Sequence, residues 1–268
     1  MKKFLVFLVL IVMLFSLCAC NYVPSTRFMS RAKVDSLVKQ FGTPQAVVTI
    51  SYKIGDKEHK IEILYDLLLS QTPLAVIQFI HLANDGFYND TVIDTYDSQY
   101  HYMILGRYSY DAESKKFYDN VSTVTFKGEF ASNNYREPKE GFAQFKMFSL
   151  AMYYDNPNKE DGANFDKANG TLLLELSEKE PINYKNHAVF AHMVSVAYDG
   201  GEPSSKVTST VLGHLTKGST SNNVVYSDKS ESSSRKEKMP SPTFTIQVKI
   251  VGAKGKSSDW SKLPRIGQ

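Results

Sequence analysis

The chain predicts a mostly-β fold, a barrel of short strands carrying two helices, and three observations predict it. Short segments of alternating apolar and polar residues recur at regular intervals between turn residues. After residue 45 only two stretches, near 73–85 and near 206–217, repeat apolar residues at helical intervals. The 268 residues are 42% hydrophobic and 22% charged, enough for one good core and too few for two comfortable domains.

Taken in order, the chain opens with Lys2 and Lys3, an apolar run from Phe4 to Phe15, and Leu17-Cys18-Ala19-Cys20. A run this short, basic in front and with a small residue directly before a cysteine, reads as a bacterial secretory signal ending in a lipobox. Cys20 then becomes the first mature residue, linked to lipid through its sulfur. The expected location is the extracytoplasmic face of a bacterial membrane. Cys18 leaves with the signal, so the mature chain has no thiol for a disulfide, a metal or a nucleophile.

Residues 20–44 are expected to be a polar tether, in which Val34, Leu37, Val38 and Phe41 fall at helical spacing and form a short helix on the domain. The segments 47–53 and 60–65 alternate around Gly55-Asp56, the signature of a β-hairpin. Thr72-Pro73 supplies an N-cap and a first-turn proline, Leu74, Ile77 and Ile80 begin a broad apolar face, and Gly86 stops the helix. Strands follow at 100–105, 121–126, 145–152, 171–176 and 187–193, with a polar loop over 153–169. Val207, Val211, Leu212 and Leu215 mark the second helix. Ser, Lys and Glu dominate 227–242, which reads as a mobile loop, and Phe244, Ile246, Val248 and Ile250 alternate in a last strand. The expected division is a signal peptide over 1–19, a lipid-anchored tether over 20–44, one domain over 45–252 and a tail over 253–268.

Charge and motif content exclude several classes. The net charge of +3 with interspersed signs gives no nucleic-acid footprint. Ser149 lacks a nucleophile-elbow pattern. His187 and His192, five apart on a predicted strand, point to opposite faces and cannot share a metal. No cofactor is called for.

The order of these elements meets residues that carry a resemblance. Val47-Val48-Thr49-Ile50, Ile61-Glu62-Ile63-Leu64-Tyr65, Thr72 to Phe79 and the turn Gly86-Phe87-Tyr88-Asn89-Asp90-Thr91 are similar to the opening of a cyclophilin-type peptidyl-prolyl isomerase. Tyr102 to Gly106, Gly128-Glu129-Phe130, Phe148 to Met152, Asn169-Gly170-Thr171 and His187 to Ala191 resemble later motifs of that family, in the same order. The resemblance implies a closed eight-stranded antiparallel barrel capped by two helices. It implies as partner a proline-containing peptide or a segment of a secreted protein, bound by a single copy of the chain.

The same resemblance shows where the chain departs from the pattern. The family's arginine position is Thr95, its strand glutamine is Leu105, its Gln-Phe-Phe is Leu172-Leu173-Leu174, and its pocket tryptophan aligns with Ile182. The arginine donates to the prolyl amide and stabilises the rotated state, acting on a barrier of about 18–20 kcal/mol. Threonine cannot supply that cationic fork. The groove implied by the alignment comprises Ile93, Thr95, Tyr102, Met103, Leu105, Ala151, Leu172, Leu174, Ile182 and His187. Either these residues line an open groove, or they are barrel core and the groove is filled.

Three functions compete at this stage. An extracytoplasmic prolyl isomerase with a degenerate site and weak catalysis has a purpose, because X-Pro isomerisation is slow. A non-catalytic peptide-binding module could use the same barrel. A transporter's substrate-binding lipoprotein is disfavoured, since the chain lacks two lobes of alternating βα units.

Overall fold

The computed structural model describes residues 22–24, 26–97, 101–111, 113, 116–120, 122, 124–153, 168–177, 187–206, 209–218, 223–225, 237–239, 244–253 and 259–267. The segment expected to be a signal, with Cys20, most of the expected loops at 153–169 and 227–242, and Ile182 lie outside the described residues.

The long hairpin forms where its alternation places it. Strands β2 (Pro44–Ile54) and β3 (Lys57–Leu67) pair antiparallel through the two-residue turn Gly55-Asp56, with Gly55 at φ 60°. Ala46, Val48, Ile50 and Tyr52 on one strand and Ile61, Ile63, Tyr65 and Leu67 on the other are all buried. Their period of two puts one face of each strand into the core.

Around this hairpin the sheet closes. β4 (Thr91–Asp97), β5 (Tyr102–Asp111), β7 (Leu150–Met152), β8 (Leu172–Glu175), β9 (Val189–Tyr198) and β12 (Thr245–Ala253) complete it, and β6 (Lys116–Asp119) extends β5 outside the ring. The order is β4-β12-β2-β3-β9-β7-β8-β5, and a β4–β5 pairing joins the ends, while β10 (Asn223–Val225) and β11 (Glu237–Met239) pair with each other as a separate ribbon. The result is the closed eight-stranded antiparallel barrel that the sequence reading expects. Closure leaves these strands no open edge.

The membership of the barrel differs from the expectation at one strand. Among its described residues, the segment 121–126, expected as a strand, shows an isolated bridge from Phe126 to Ala168 and a bond from Ser122 N–H to the Asn169 carbonyl, and no ladder. Its place is taken by β4, whose register shifts at Val92, Ile93 and Thr95 break the regular alternation that would have revealed it.

The two expected helices cap the barrel. Helix α2 (Pro73–Asn84) packs on β9, β12 and the short C-terminal strand β13 (Arg265–Gly267), and buries residues almost all round. Helix α3 (Ser209–Gly218) sends Val211 and Leu215 into the same core. A third helix, α1 (Arg31–Phe41), starts at the Ser30 cap, where Oγ accepts from Lys33 N–H, and buries Val34, Leu37 and Phe41.

Residues 22–43 are therefore folded onto the domain along most of their length. Strand β1 (Tyr22–Pro24) pairs in parallel with β13, and Trp260 stacks on Phe41 at 5.7 Å. The expected C-terminal tail is likewise ordered over 259–267, with Leu263 and Ile266 buried. Strands of three residues are too short to leave a periodic signal.

Thr72 does not cap α2 as the sequence suggests. Its hydroxyl donates to the Val189 carbonyl, and the N-terminal N–H groups of Leu74 and Ala75 donate to Glu129 Oε1 and Oε2, both at 3.0 Å. A carboxyl brought in from 55 residues downstream thus occupies the positive end of the helix.

Candidate functional site

Three of the sequence motifs meet at one tyrosine. Tyr88, fully buried in the turn after α2, donates its hydroxyl to the Gly170 carbonyl at 2.9 Å. A Cβ built on Gly106 would stand 3.0 Å from the Tyr88 ring, and one on Gly170 would stand 2.5 Å from Leu82 Cδ1. Both glycines have positive φ, 77° and 92°. Asn120 Nδ2 ties the same point together by donating to the carbonyls of Phe87 and Gly106. The turn 86–91, the end of the 102–106 strand and the 169–171 turn are locked here by backbone approach and one buried hydroxyl.

Beyond this lock, seven of the ten aligned groove positions fall into two separate clusters. Ile93, Met103, Leu105, Leu172 and Leu174 are each 0% exposed and belong to the main core cluster with the hairpin and the helices. Tyr102 and Ala151 belong to a separate cluster with Phe145, Leu173 and Val189, flanked by Leu68, Ala143 and Tyr153. Neighbours on a strand point to opposite faces, so Tyr102 cannot share a wall with Met103, nor Leu173 with Leu172 and Leu174. The side chain of Thr95 is not described; its backbone pairs with Ile104.

The outer cluster follows from register. Ile104 pairs with Leu173, Leu173 with Ala151, and Ala151 with Val189, giving one apolar row across β5, β8, β7 and β9. Phe145 packs on this row and meets the buried His187 edge-on at 5.8 Å. Tyr102 and Tyr153 stand half-buried at its borders. Phe145, Leu173 and Val189 are the members that the motif alignment missed; the period of two in Leu172-Leu173-Leu174 was the signal that could have found them.

The segment carrying Phe145 is held from both sides. Phe148 sits at φ 61°, an unusual value for a bulky residue, with its N–H donating to the Glu175 carbonyl at 2.7 Å. Ser149 N–H donates to the Lys146 carbonyl, and Lys146 N–H donates back to Ser149 Oγ. His192 Nε2 bonds the Gln144 carbonyl at 2.9 Å, and burial holds this imidazole below its ordinary pKa.

The two arginines that could stand in for the missing one lie elsewhere. Arg107 stacks over Tyr108 at 5.1 Å, and Arg136 lines a separate cleft of about 390 Å³ beneath α1 with Arg31, Tyr135 and Glu137. Burial pushes the Glu129 carboxyl up to about 8, against the pull of its two N–H donors. Among the described residues no cluster of His, Cys, Asp and Glu could hold a metal ion, and no helix is long and apolar enough to cross a membrane.

No family model matches the chain, and no curated protein matches it in sequence. Among solved structures it is similar to a cyclophilin-type peptidyl-prolyl cis-trans isomerase of Cryptosporidium parvum, at 13% identity over 76% of this chain and 97% of that one, TM-score 0.38. The same isomerase in the presence of the dipeptide Ala-Pro gives 12% identity over 77% and 98%, TM-score 0.38. The Mimivirus cyclophilin gives 15% identity over 79% and 91%, TM-score 0.37.

Proposed function

We propose that this protein is a lipid-anchored, extracytoplasmic barrel of cyclophilin type that holds an apolar or proline-containing segment of a secreted protein and isomerises it weakly or not at all. The observation that carries the binding reading is the pair of half-buried rings, Tyr102 and Tyr153, at the borders of the row Ile104-Leu173-Ala151-Val189, whose own side chains are 0–3% exposed under Phe145 and would be reached from those borders. Two aromatic rings beside a buried apolar row suit one apolar or prolyl side chain brought in by an extended peptide.

Weak catalysis is supported by chemistry at two positions. Thr95 carries no cation, and Leu105 carries no donor and is closed into the core. Losing one preorganised donor costs about two to three orders of magnitude in rate. Anchoring rests on the Leu17-to-Cys20 lipobox, which places lipid on Cys20.

The test is prolyl isomerase kinetics on the wild type beside Thr95→Arg. Turnover near background in the wild type, rising in Thr95→Arg, is the expected result; robust wild-type turnover defeats the weak-catalysis reading. Titrating an Ala-Pro peptide while following the tyrosines by NMR reports binding independently. Mass spectrometry of the mature N-terminus checks the anchor, and an unlipidated Cys20 removes it.

A further inference from the structure

We infer that the β1–β13 ribbon lies directly against the lipid bilayer, so that the barrel is held flush to the membrane in one orientation instead of swinging on a tether. The inference rests on the lipid-anchor reading of Cys20 and deepens it by naming the face that meets the lipid.

Chain length carries the argument. Only Asn21 separates Cys20 from Tyr22, the first residue of β1. Two residues span at most about 7 Å between α-carbons even when fully extended. From Tyr22 onward the backbone is committed: Tyr22, Val23 and Pro24 pair in parallel with Arg265, Ile266 and Gly267. Neighbouring strands lie about 4.8 Å apart, which brings the Arg265 backbone within about 12 Å of the lipidated residue.

The ribbon is itself fixed to the barrel, so it cannot act as slack. Ile266 is 6% exposed, β13 packs on α2, and the Pro264 carbonyl bonds His81 Nε2 of that helix at 3.1 Å. Cations stand where the headgroups would be. Arg27 is exposed just after β1, while Arg265 and Lys262 keep 68% and 62% of their side chains in solvent although each also faces a carboxylate, Asp85 and Asp259. This charge is modest and suits an anionic surface without requiring one. The start of β2 lies on the ribbon side, since Phe41, three residues before Pro44, stacks on Trp260, five residues before Arg265; the hairpin tip at Ile54 is ten residues along β2 from Pro44, about 33 Å along the strand.

The mature lipoprotein has no cysteine besides Cys20, so a single introduced cysteine can be spin-labelled selectively. The full lipidated chain is reconstituted in phosphatidylglycerol–phosphatidylcholine vesicles doped with a nickel-chelating lipid, with the label at Arg265→Cys, at Lys262→Cys, or at the distal Ile54→Cys. Relaxation enhancement severalfold stronger at 265 and 262 than at 54 is the expected result. Inserting a Gly-Ser spacer of about twelve residues between Asn21 and Tyr22, with a root-mean-square reach of about 19 Å, should bring all three labels to a common low value. Equal enhancement at 265, 262 and 54 without the spacer, on protein whose N-terminal mass shows lipid on Cys20, overturns the inference and leaves the anchor standing. An N-terminal mass without lipid overturns both.

Discussion

The lock around Tyr88 and the apolar row on the outer wall are built by the same strands, β5 and β8, yet they tolerate change in opposite ways. At the lock, an added methyl on Gly170 would come within 2.5 Å of Leu82 and one on Gly106 within 3.0 Å of Tyr88. On the row, Ile104, Leu173, Ala151 and Val189 need only be apolar and of suitable volume. Three of the motifs that carry the resemblance, the 86–91 turn, the 102–106 strand with its Gly106, and 169–171, converge on the lock. The substituted positions Thr95, Leu105 and Leu172 to Leu174 lie on the strands beside it. Sequence resemblance therefore reports the scaffold here, and says less about the surface that would meet a ligand.

The largest expected effect falls on the scaffold side, at Glu129. Burial raises its folded-state pKa to about 8 from an ordinary value of 4.5. Between those values the unfolded chain has released the proton while the folded chain keeps it, so stability falls as pH rises through that window and levels off above it. The loss should amount to roughly 3–5 kcal/mol. Urea denaturation from pH 4.5 to 9 measures it, and Glu129→Gln should flatten the profile. A wild-type curve that rises with pH would mean that the helix N-terminus and its two N–H donors hold the carboxylate ionised.

Next in size is Gly170→Ala, expected to cost about 3 kcal/mol from the contact with Leu82 together with the strained φ of 92°. Gly200→Ala separates the two contributions, since Gly200 has φ 75° and nothing within 4 Å of the new methyl, and should cost only about 1 kcal/mol. Equal losses would show that the lock is a backbone preference and not a packing contact. Thermal denaturation of the two variants decides this.

Tyr88→Phe should cost about 1–2 kcal/mol, because it leaves the buried Gly170 carbonyl without its donor. Tyr65→Phe is the internal comparison. Its hydroxyl is buried in the core and has no hydrogen-bond partner among the described residues, so removing it should be neutral or stabilising. A loss at Tyr65 comparable to that at Tyr88 would point to an ordered water inside the barrel.

Sequence and structure agree where period and turn chemistry speak with one voice. The hairpin alternates cleanly around Gly55-Asp56, and α2 begins at a proline and stops at a glycine, so both are legible. β4 is obscured because its register shifts disrupt the period of two. β1 and β13 are three residues each and owe their pairing to tertiary contact. Glu129 is legible as part of a motif but not as the cap of α2, since nothing local announces a partner that far along the chain. At the candidate site the alignment gave Met103, Leu105, Leu172 and Leu174, which the strand pleat turns into the core, and missed Phe145, which reaches the row from an irregular segment.

The smallest effect on stability belongs to the row, and it is the one that bears on function. Tyr102 is half-buried at the border of the outer cluster, beside Leu173 and Ala151, and takes no part in the lock. Truncating it to alanine removes part of a ring's burial and should lower stability by only about 1 kcal/mol. An aromatic side chain bordering an apolar strip contributes more to a bound segment than to the fold, so the affinity for an Ala-Pro peptide should drop about tenfold or more. Titration of the peptide against wild type, Tyr102→Ala and Gly200→Ala measures this, with Gly200→Ala matched in stability loss and placed at a turn away from the row. If Tyr102→Ala binds as the wild type does, the row is barrel covering closed by Phe145 and the ligand face lies elsewhere. If both variants weaken binding equally, the loss tracks stability. A loss confined to Tyr102→Ala separates the two regions, one built to hold the barrel and the other used, as proposed, to hold a peptide.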